Sequence, residues 1–324
     1  DEYLIDICEM DPEDYEDISN LDNEENWKKA NPIRMTYPEG ADKIRGEYKI
    51  AREQPEHMTA FLTKCLDVWV QAKENGYMDM AKWKACQVDE LPFDITGYPV
   101  YVGFDMSAKT DLTSVAFVIP FLSGEYDANR KEIVKYIIWS HSFIPTREKL
   151  QEHIMKDKVA YDAWERMGFL DVTDTPIVDQ GAVMRYVLET CEKLNLKIQC
   201  LCFDPANASK LMMDLSNEGY DVEEVFQSHK HLNEATQGFR EQVFCGNIIY
   251  TYNPLLNYAM SNAVIRQSNG LIKIDKDATT KRIDPVDATL CAFKLAMFHT
   301  FGDDYGDYID NFIEEILHED STEN

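Results

Sequence analysis

The chain has 324 residues, of which 44% are hydrophobic and 28% charged, a composition typical of a globular protein with room for about two domains. No apolar run approaches the roughly 20 residues that a membrane-spanning helix needs, so the sequence excludes a membrane-embedded protein and predicts no membrane partner. The formal net charge is −27, but residues 1–26 and 303–324 hold 21 of the 59 acidic side chains and no Lys or Arg, so the remainder can still form a local cationic groove.

The first 96 residues predict a mostly helical region. It opens with a strand-like stretch at 3–5, and its apolar residues recur at helical spacing. The predicted helices cover residues 41–54, 57–71 and 78–86. This set is too small and too interrupted to fold as an independent domain. The chain contains no G-x-x-x-x-G-K-[ST] motif, so the sequence predicts no phosphate-binding loop of its own.

After residue 96 the pattern changes to strands. Alternating apolar residues predict a three-stranded meander, with strands at 100–105, 113–122 and 132–139. Helices then alternate with strands: helices at 146–155, 181–194, 206–215 and 232–244, strands at 198–203 and 222–226. A shorter pair of strands at 248–250 and 271–273 precedes a last helix at 285–298. This order predicts a mixed sheet with helices on both faces.

These patterns divide the chain into three parts. Residues 1–96 form the helical linker region, residues 97–302 form the sheet-containing domain, and residues 303–324 form an acidic tail. The first ten residues lack the basic and then apolar layout of a signal peptide, which predicts a protein with cytosolic chemistry. Eight cysteines without a C-x-x-C pair predict reduced, mostly buried thiols.

Three aspartates fall at comparable places on this map. Asp105 ends the first strand of the meander, Asp204 ends a later strand, and Asp284 opens the last helix. Carboxylates at the ends of neighbouring strands and at a helix start converge at one edge of a sheet, where cations offset their mutual repulsion. Two divalent ions about 3.5 to 4 Å apart are the usual reason for such a cluster in phosphoryl chemistry. The pattern therefore predicts a site for two divalent cations, Mg²⁺ or Mn²⁺.

Each of these residues also has a structural explanation. Asp284 can cap a helix, Asp204 can be a turn residue before Pro205, and Asp105 can end a strand. Asp287 lies on the same helical face as Asp284 and is a further candidate ligand, as is Asp111, which also suits a hairpin turn. Lys109 suits either a phosphate contact or a solvated loop.

Other candidate sites have weaker support. His229 and His231 lie two residues apart, a spacing that does not suit zinc on a helix face. Cys200 and Cys202 lie two apart on a predicted strand, which we interpret as one buried thiol and one at the surface. No nucleophile motif of the G-x-S-x-G type and no Cys-His arrangement is visible.

Several segments carry a resemblance to a known family. The order GFDMSAKTDLTS, CFDPANAS, YTYNPLLNYAMSNAVIRQSNGLIKIDK and RIDPVDATLCAFKLA resembles the C-terminal nuclease domain of tailed-phage large terminases, in the branch of the HK97-like phages. The segments NWKKANP and WVQAKENGYMDMAKWKAC resemble the region that joins the packaging ATPase of these proteins to the nuclease. The resemblance spans about residues 27 to 300, and the ATPase motifs of the family are absent.

The resemblance implies an RNase H-like fold and a metal-dependent endonuclease that cuts concatemeric double-stranded DNA when packaging starts and ends. It implies that Asp105, Asp204 and Asp284 are the catalytic acids, with Asp105 between two cations. It places Asn262 and Lys273 near the DNA-facing side. It also implies a terminase small subunit and a portal or procapsid as partners, and a location on the procapsid in the host cytoplasm.

Two alternatives stay open. Other RNase H-like enzymes, such as junction resolvases and transposases, share an acidic cluster of this kind. A packaging or docking module whose acidic cluster binds metal only for stability would show none of the chemistry. Metal-dependent plasmid nicking separates the docking module from the nucleases.

Overall fold

The computed structural model describes residues 7–15, 18–53, 58–68, 76–106, 112–157, 159–205, 208–275 and 282–301. Its helices are α1 Pro12–Tyr15, α2 Ile18–Leu21, α3 Glu24–Ala30, α4 Pro38–Glu53, α5 Met58–Cys65, α6 Met80–Ala85, α7 Arg147–Asp157, α8 Tyr161–Arg166, α9 Gln180–Lys193, α10 Ser209–Asn217, α11 His229–Phe244, α12 Pro254–Asn262 and α13 Asp284–Ala296. Its strands are β1 Gln87–Val88, β2 Pro99–Asp105, β3 Thr113–Tyr126, β4 Glu132–Ile144, β5 Leu170–Val172, β6 Lys197–Phe203, β7 Val222–Glu224, β8 Ile248–Thr251, β9 Ile265–Ser268 and β10 Leu271–Ile274.

Part of the predicted organisation lies outside these ranges. The strand-like stretch at 3–5 and the acidic tail at 303–324 are outside the described residues. Within the described part of the chain, no helix combines the length and the apolar character that crossing a membrane requires.

The predicted mixed sheet is confirmed. The described residues form an eight-stranded sheet in the order β1-β8-β4-β3-β2-β6-β7, with β5 pairing with β4. Strands β2, β3 and β4 form the predicted antiparallel meander. Strand β6 then pairs parallel to β2, and β7 pairs parallel to β6. Because parallel neighbours need a crossover connection, helices α9 and α10 cover the sheet between these strands.

Helices cover both faces of the sheet. On one face, α6, α11, α12 and α13 enclose a buried cluster with residues of β3, β4 and β8, in which Trp83 stacks on Tyr250 at a ring distance of 4.2 Å. On the other face, α9 and α10 pack against alternate residues of β2, β3 and β6. We call these the α13 face and the α9 face. Strands buried on both sides explain why the burial of β3 is continuous from Thr113 to Phe121.

The helical region before the sheet contains two differently packed parts. Residues up to Val68 have their own buried cluster, in which Trp27 contacts Tyr48 and Phe61 edge-on. Residues 76–88 instead pack with the sheet: Tyr77 and Trp83 belong to the cluster under α13, and β1 pairs parallel to β8. This second part precedes the predicted boundary at residue 96 and shares the core of the domain that follows it.

The two short strands predicted at 248–250 and 271–273 both form, but the prediction that they pair with each other is wrong. Strand β8 joins the main sheet between β1 and β4, whereas β10 pairs with β9 in a separate hairpin. The hairpin turn is Asn269-Gly270, and both residues have positive φ, which an Asn-Gly turn accommodates at little cost. The intervening helix α12 was not predicted.

The interpretation of Cys200 and Cys202 also needs correction. Residues two apart on a strand point to the same face, and both thiols are buried on the α13 face beside Cys291. The hydrogen bond from the Cys202 thiol lowers the pKa of Cys200 and, together with burial, raises the pKa of Cys202. All eight cysteines are free thiols in the structure.

Candidate functional site

Two of the predicted acids lie side by side at the end of the sheet. Strands β2 and β6 are parallel, and their register pairs Gly103 with Cys202 and Phe104 with Phe203. Asp105 and Asp204 are therefore the next residues on neighbouring strands, and the backbone N–H of Asp204 points to the carbonyl of Phe104 at 3.5 Å. The alternation of a strand places Asp105 on the side of Gly103, and Asp204 continues that of Cys202. Both belong to the α13 face.

Helix α13 brings the third acid to the same end. Along β2, the hydroxyl of Tyr101 lies 3.0 Å from Nδ1 of His299, just past the end of α13, while Gly103 lies against the Ala288 and Ala292 backbone. The helix therefore runs antiparallel to β2, and its first residue, Asp284, lies at the strand end that carries Asp105.

A glycine makes this approach of helix to strand possible. A Cβ at Gly103 would lie 2.0 Å from the carbonyl oxygen of Ala288 and 2.6 Å from the amide nitrogen of Ala292. Both are backbone atoms, so no side-chain rotation could relieve the overlap. A glycine inside a strand pattern often marks a close approach of another backbone. Gly103 could therefore have predicted this contact from the sequence, whereas the positions of the acids did not.

The surroundings of the acids are buried and polar. Asp105 is 6% exposed and Asp287, one turn into α13, is 2% exposed. Opposite Asp105 on β3 is Ser114, whose hydroxyl lies 2.8 Å from that of Ser142 on β4. The cap position of α13 is Ile283, so Asp284 is the first residue of the helix itself. Carboxylates in the first turn of a helix interact favourably with its dipole.

The donor chemistry suits a hard divalent cation. Aspartate oxygens are the ligands that Mg²⁺ and Mn²⁺ prefer, and Asp105, Asp204 and Asp284 lie on one face at one end of the sheet, with Asp287 beside them. Within the described ranges, no group of three His, Cys, Asp or Glu side chains is gathered in an arrangement that could hold a metal ion. The acids thus share one end of the sheet, but their carboxylates do not form a metal-binding arrangement in the described residues.

The other residues predicted to bind metal or DNA are Lys109, Asp111, Asn262 and Lys273. Lys109 and Asp111 lie in 107–111, outside the described residues. Lys273 is on β10, and its ammonium group donates to the carbonyl of Gln227 at 3.2 Å. The side chain of Gln227 in turn donates to Cys291, about 10 Å along α13 from Asp284. Asn262 ends α12 and is 3% exposed.

The two histidines of the weaker candidate site open a helix. His229 is the first residue of α11, whose cap is Ser228, and the Ser228 hydroxyl lies 2.7 Å from Nδ1 of His231. His231 is therefore engaged in the capping turn. This local capping role accounts for His231 without a metal.

An antiparallel meander has the parallel strands β6 and β7 on the other side of its first strand, β2, with carboxylates at the end of β2 and helices on both faces of the sheet. This arrangement defines an α/β protein of the RNase H-like type. The family model for the terminase large subunit endonuclease domain matches residues 2–300. The chain belongs to this family.

Individual relatives agree with this assignment. The terminase large subunit of Enterobacteria phage HK97 is 25% identical over 296 residues, which cover 90% of this chain and 55% of that protein. The chain thus spans about half the length of that curated relative. The crystal structure of the HK97 bacteriophage large terminase matches with a TM-score of 0.57 and 22% identity, covering 89% of this chain and 56% of that chain. The predicted RNase H-like fold and the resemblance to large terminases are confirmed.

A more distant match is a crystal structure of the large terminase nuclease from thermophilic phage G20c with bound magnesium. Its TM-score is 0.40 and its identity 8%, and the match covers 68% of this chain and 98% of that chain. The magnesium belongs to that protein, and a match at this level shows nothing about metal binding by this chain.

Proposed function

We propose that the chain is a metal-dependent DNA endonuclease that cuts concatemeric double-stranded DNA at the start and end of genome packaging. The observation that carries this proposal is the placement of Asp105, Asp204 and Asp284 on one face at one end of the sheet, in a chain of the terminase nuclease family. Carboxylates that share one end of a sheet repel one another, and bound cations offset that repulsion.

In this proposal Asp105, at the end of β2, would contribute to binding both cations, and Asp204 and Asp284 would each help to hold one of them. Two divalent cations, when bound, offset the negative charge that develops on the scissile phosphodiester and lower the pKa of the attacking water. The protein's own contribution is to fix the carboxylates. The backbone of β2 and β6 holds Asp105 and Asp204 in register, and α13, seated on Gly103, holds Asp284.

The partners follow from the same proposal. Double-stranded DNA is the substrate, and a terminase small subunit and a portal or procapsid are the assembly partners, with the protein acting on the procapsid in the host cytoplasm. Residues 27–302 carry 38 acidic and 32 basic side chains. We therefore expect weak, sequence-tolerant DNA binding that falls steeply with salt.

The experiment that tests the proposal is plasmid nicking by the full chain at low ionic strength, with Mg²⁺, with Mn²⁺ and with EDTA. We expect nicking with the cations and none with EDTA. Asp105→Asn should slow nicking by about 100-fold or more, because the site loses a carboxylate that offsets cation charge. Its melting temperature should be unchanged or slightly higher, since one charge of a repelling cluster is removed.

Asp171→Asn is the matched control. Asp171 is on β5, and its carboxylate accepts a hydrogen bond from His141 at 3.1 Å, away from α13. Its nicking rate should equal that of the parent. Nicking that persists in EDTA, or an Asp105→Asn variant as fast as the parent, would contradict the proposal. A chain that folds and never nicks DNA would favour the docking module.

A further inference from the structure

A buried polar cluster lies next to the candidate site in sequence. It consists of His153 and Asp157 on α7, Tyr161 on α8, and Arg282, and we call it the Arg282 cluster. The Tyr161 hydroxyl donates to Oδ2 of Asp157 at 2.8 Å. Nε of Arg282 donates to Nδ1 of His153 at 3.2 Å and lies 3.8 Å from Oδ2 of Asp157. The same Nδ1 of His153 lies 3.6 Å from Oδ2 of Asp157.

The burial of these charges requires an explanation. The side chain of Asp157 is 2% exposed, that of His153 is 5% exposed and that of Arg282 is 17% exposed. Removing a carboxylate and a guanidinium from water is costly, and well-packed apolar residues often stabilise a fold equally well. The hydrogen bonds from Arg282 to His153 and from Tyr161 to Asp157 are directional, and such bonds fix the geometry of the backbone that carries the cluster. The Arg282 cluster is therefore better explained by positioning than by stability.

The segment that the cluster fixes leads directly into the candidate site. Arg282 lies two residues before Asp284. Ile283, between them, is 4% exposed in the core under α13, and its carbonyl accepts the backbone N–H groups of Val286 and Asp287 at 2.8 and 3.2 Å. The two residues before α13 are thus fixed in different ways: Arg282 by the polar cluster and Ile283 by apolar packing.

We propose that Arg282, held by His153 and Asp157, is a positioning residue that sets the place of the Asp284 carboxylate for cation binding. The inference rests on the proposed function. The α7–α8 segment, inserted between β4 and β5, then has a defined purpose: it supplies the partners that orient the start of α13 from outside the sheet.

The test is Mn²⁺ binding to the full chain, measured by electron paramagnetic resonance without DNA, alongside the melting temperature. Arg282→Met should raise the Kd for Mn²⁺ by about 10-fold or more, the usual effect of removing a group that orients a ligand. Arg282→Lys keeps the charge without the planar fork, and should recover part of the affinity. Asp157→Asn should weaken binding in the same direction.

Arg147→Met is the matched control. Arg147 forms an ion pair with Glu165 at 2.6 Å and joins the same two helices without reaching residue 282. It should leave the Kd unchanged, even where the melting temperature falls. If Arg282→Met does not fold, Tyr161→Phe, which removes one hydroxyl, replaces it and should still weaken Mn²⁺ binding. A parental Kd in the folded variants would overturn the inference.

Asp284→Asn separates the two proposals. If Asp284→Asn abolishes tight Mn²⁺ binding while the Arg282 variants bind like the parent, the positioning role is wrong and the metal site stands. If Asp284→Asn binds Mn²⁺ like the parent, the metal site of the proposed function is itself wrong, and the positioning role is overturned with it.

Discussion

The two faces of the central sheet are built by different means. On the α9 face, large rings pack in parallel: Phe104 stacks on Phe203 at 4.1 Å, and Phe117 stacks on Trp139 at 4.5 Å. On the α13 face, aromatic rings also pack, with Trp83 stacked on Tyr250 at 4.2 Å, but Gly103 on β2 has no side chain and lies against the Ala288 backbone. Side chains separate helix from strand on the α9 face, whereas at Gly103 the backbone of α13 touches the backbone of β2.

The difference separates two tasks. Aromatic burial on the α9 face contributes a large apolar area to stability. Close approach on the α13 face brings the first turn of a helix to the strand end that carries Asp105. Small changes in the distance between α13 and β2 therefore change the position of Asp284 relative to Asp105. Substitutions can perturb each face separately.

The largest expected effect comes from closing the space at Gly103. Gly103→Ala places a Cβ on backbone atoms of α13, so the helix must lift from the sheet. We expect the free energy of unfolding to fall by about 3 kcal/mol or more, and nicking to be lost because Asp284 moves with the helix. Urea unfolding and the plasmid assay measure the two effects.

Gly46→Ala is the control for this substitution. Gly46 is in α4, and a Cβ there meets no atom within 4 Å, so the substitution should raise stability by about 0.5 to 1 kcal/mol. Equal stability of Gly103→Ala and the parent would show that the helix does not sit this close to the strand.

An intermediate effect is expected on the α9 face. Phe117 is fully buried, and Phe117→Leu removes its stacking on Trp139 and part of its buried area, which we expect to cost about 2 kcal/mol. Below the melting temperature, nicking per folded molecule should equal that of the parent. A folded Phe117→Leu variant that no longer nicks would show that the two faces are not separable.

The smallest effect concerns pH. Burial lowers the pKa of His299, whose Nδ1 lies beside the Tyr101 hydroxyl. A histidine with a lowered pKa favours folding when neutral, so its contribution is present above the unfolded pKa of about 6.5 and is lost as pH falls below it. Melting temperatures from pH 8 to pH 5 should fall more steeply for the parent than for His299→Gln. Parallel curves for the two proteins would contradict the prediction that neutral His299 stabilises the fold.

Long periodic segments of the fold were predictable from the sequence. The meander and helices α9, α11 and α13 follow from apolar residues at spacings of two or of three to four, which local chemistry sets. Strand β1 has two residues and β5 three. Segments this short show no periodic pattern of apolar residues. They are strands because they pair with β8 and β4, respectively. The partner of β8 depends on residues more than a hundred positions away in β4, which no local pattern specifies.

The site was predictable to a similar extent. Acids at strand ends indicated Asp105 and Asp204, and the start of the last helix indicated Asp284, because topology alone gathers such positions at one end of the sheet. Their roles in cleavage stay predictions. The Arg282 cluster was not visible in the sequence, since His153, Asp157 and Arg282 come from segments that meet only after folding.

Helix α13 supplies one acid and much of the packing of its face, yet it is the last of the described elements to be synthesised. A nascent chain that has emerged only as far as β10 can pair β2 with β6, but it leaves the face that α13 covers exposed to solvent and carries two of the three acids. Chaperone demand should peak at that stage of translation. The same late segment therefore supplies both the cover of the α13 face and the third acid of the proposed site.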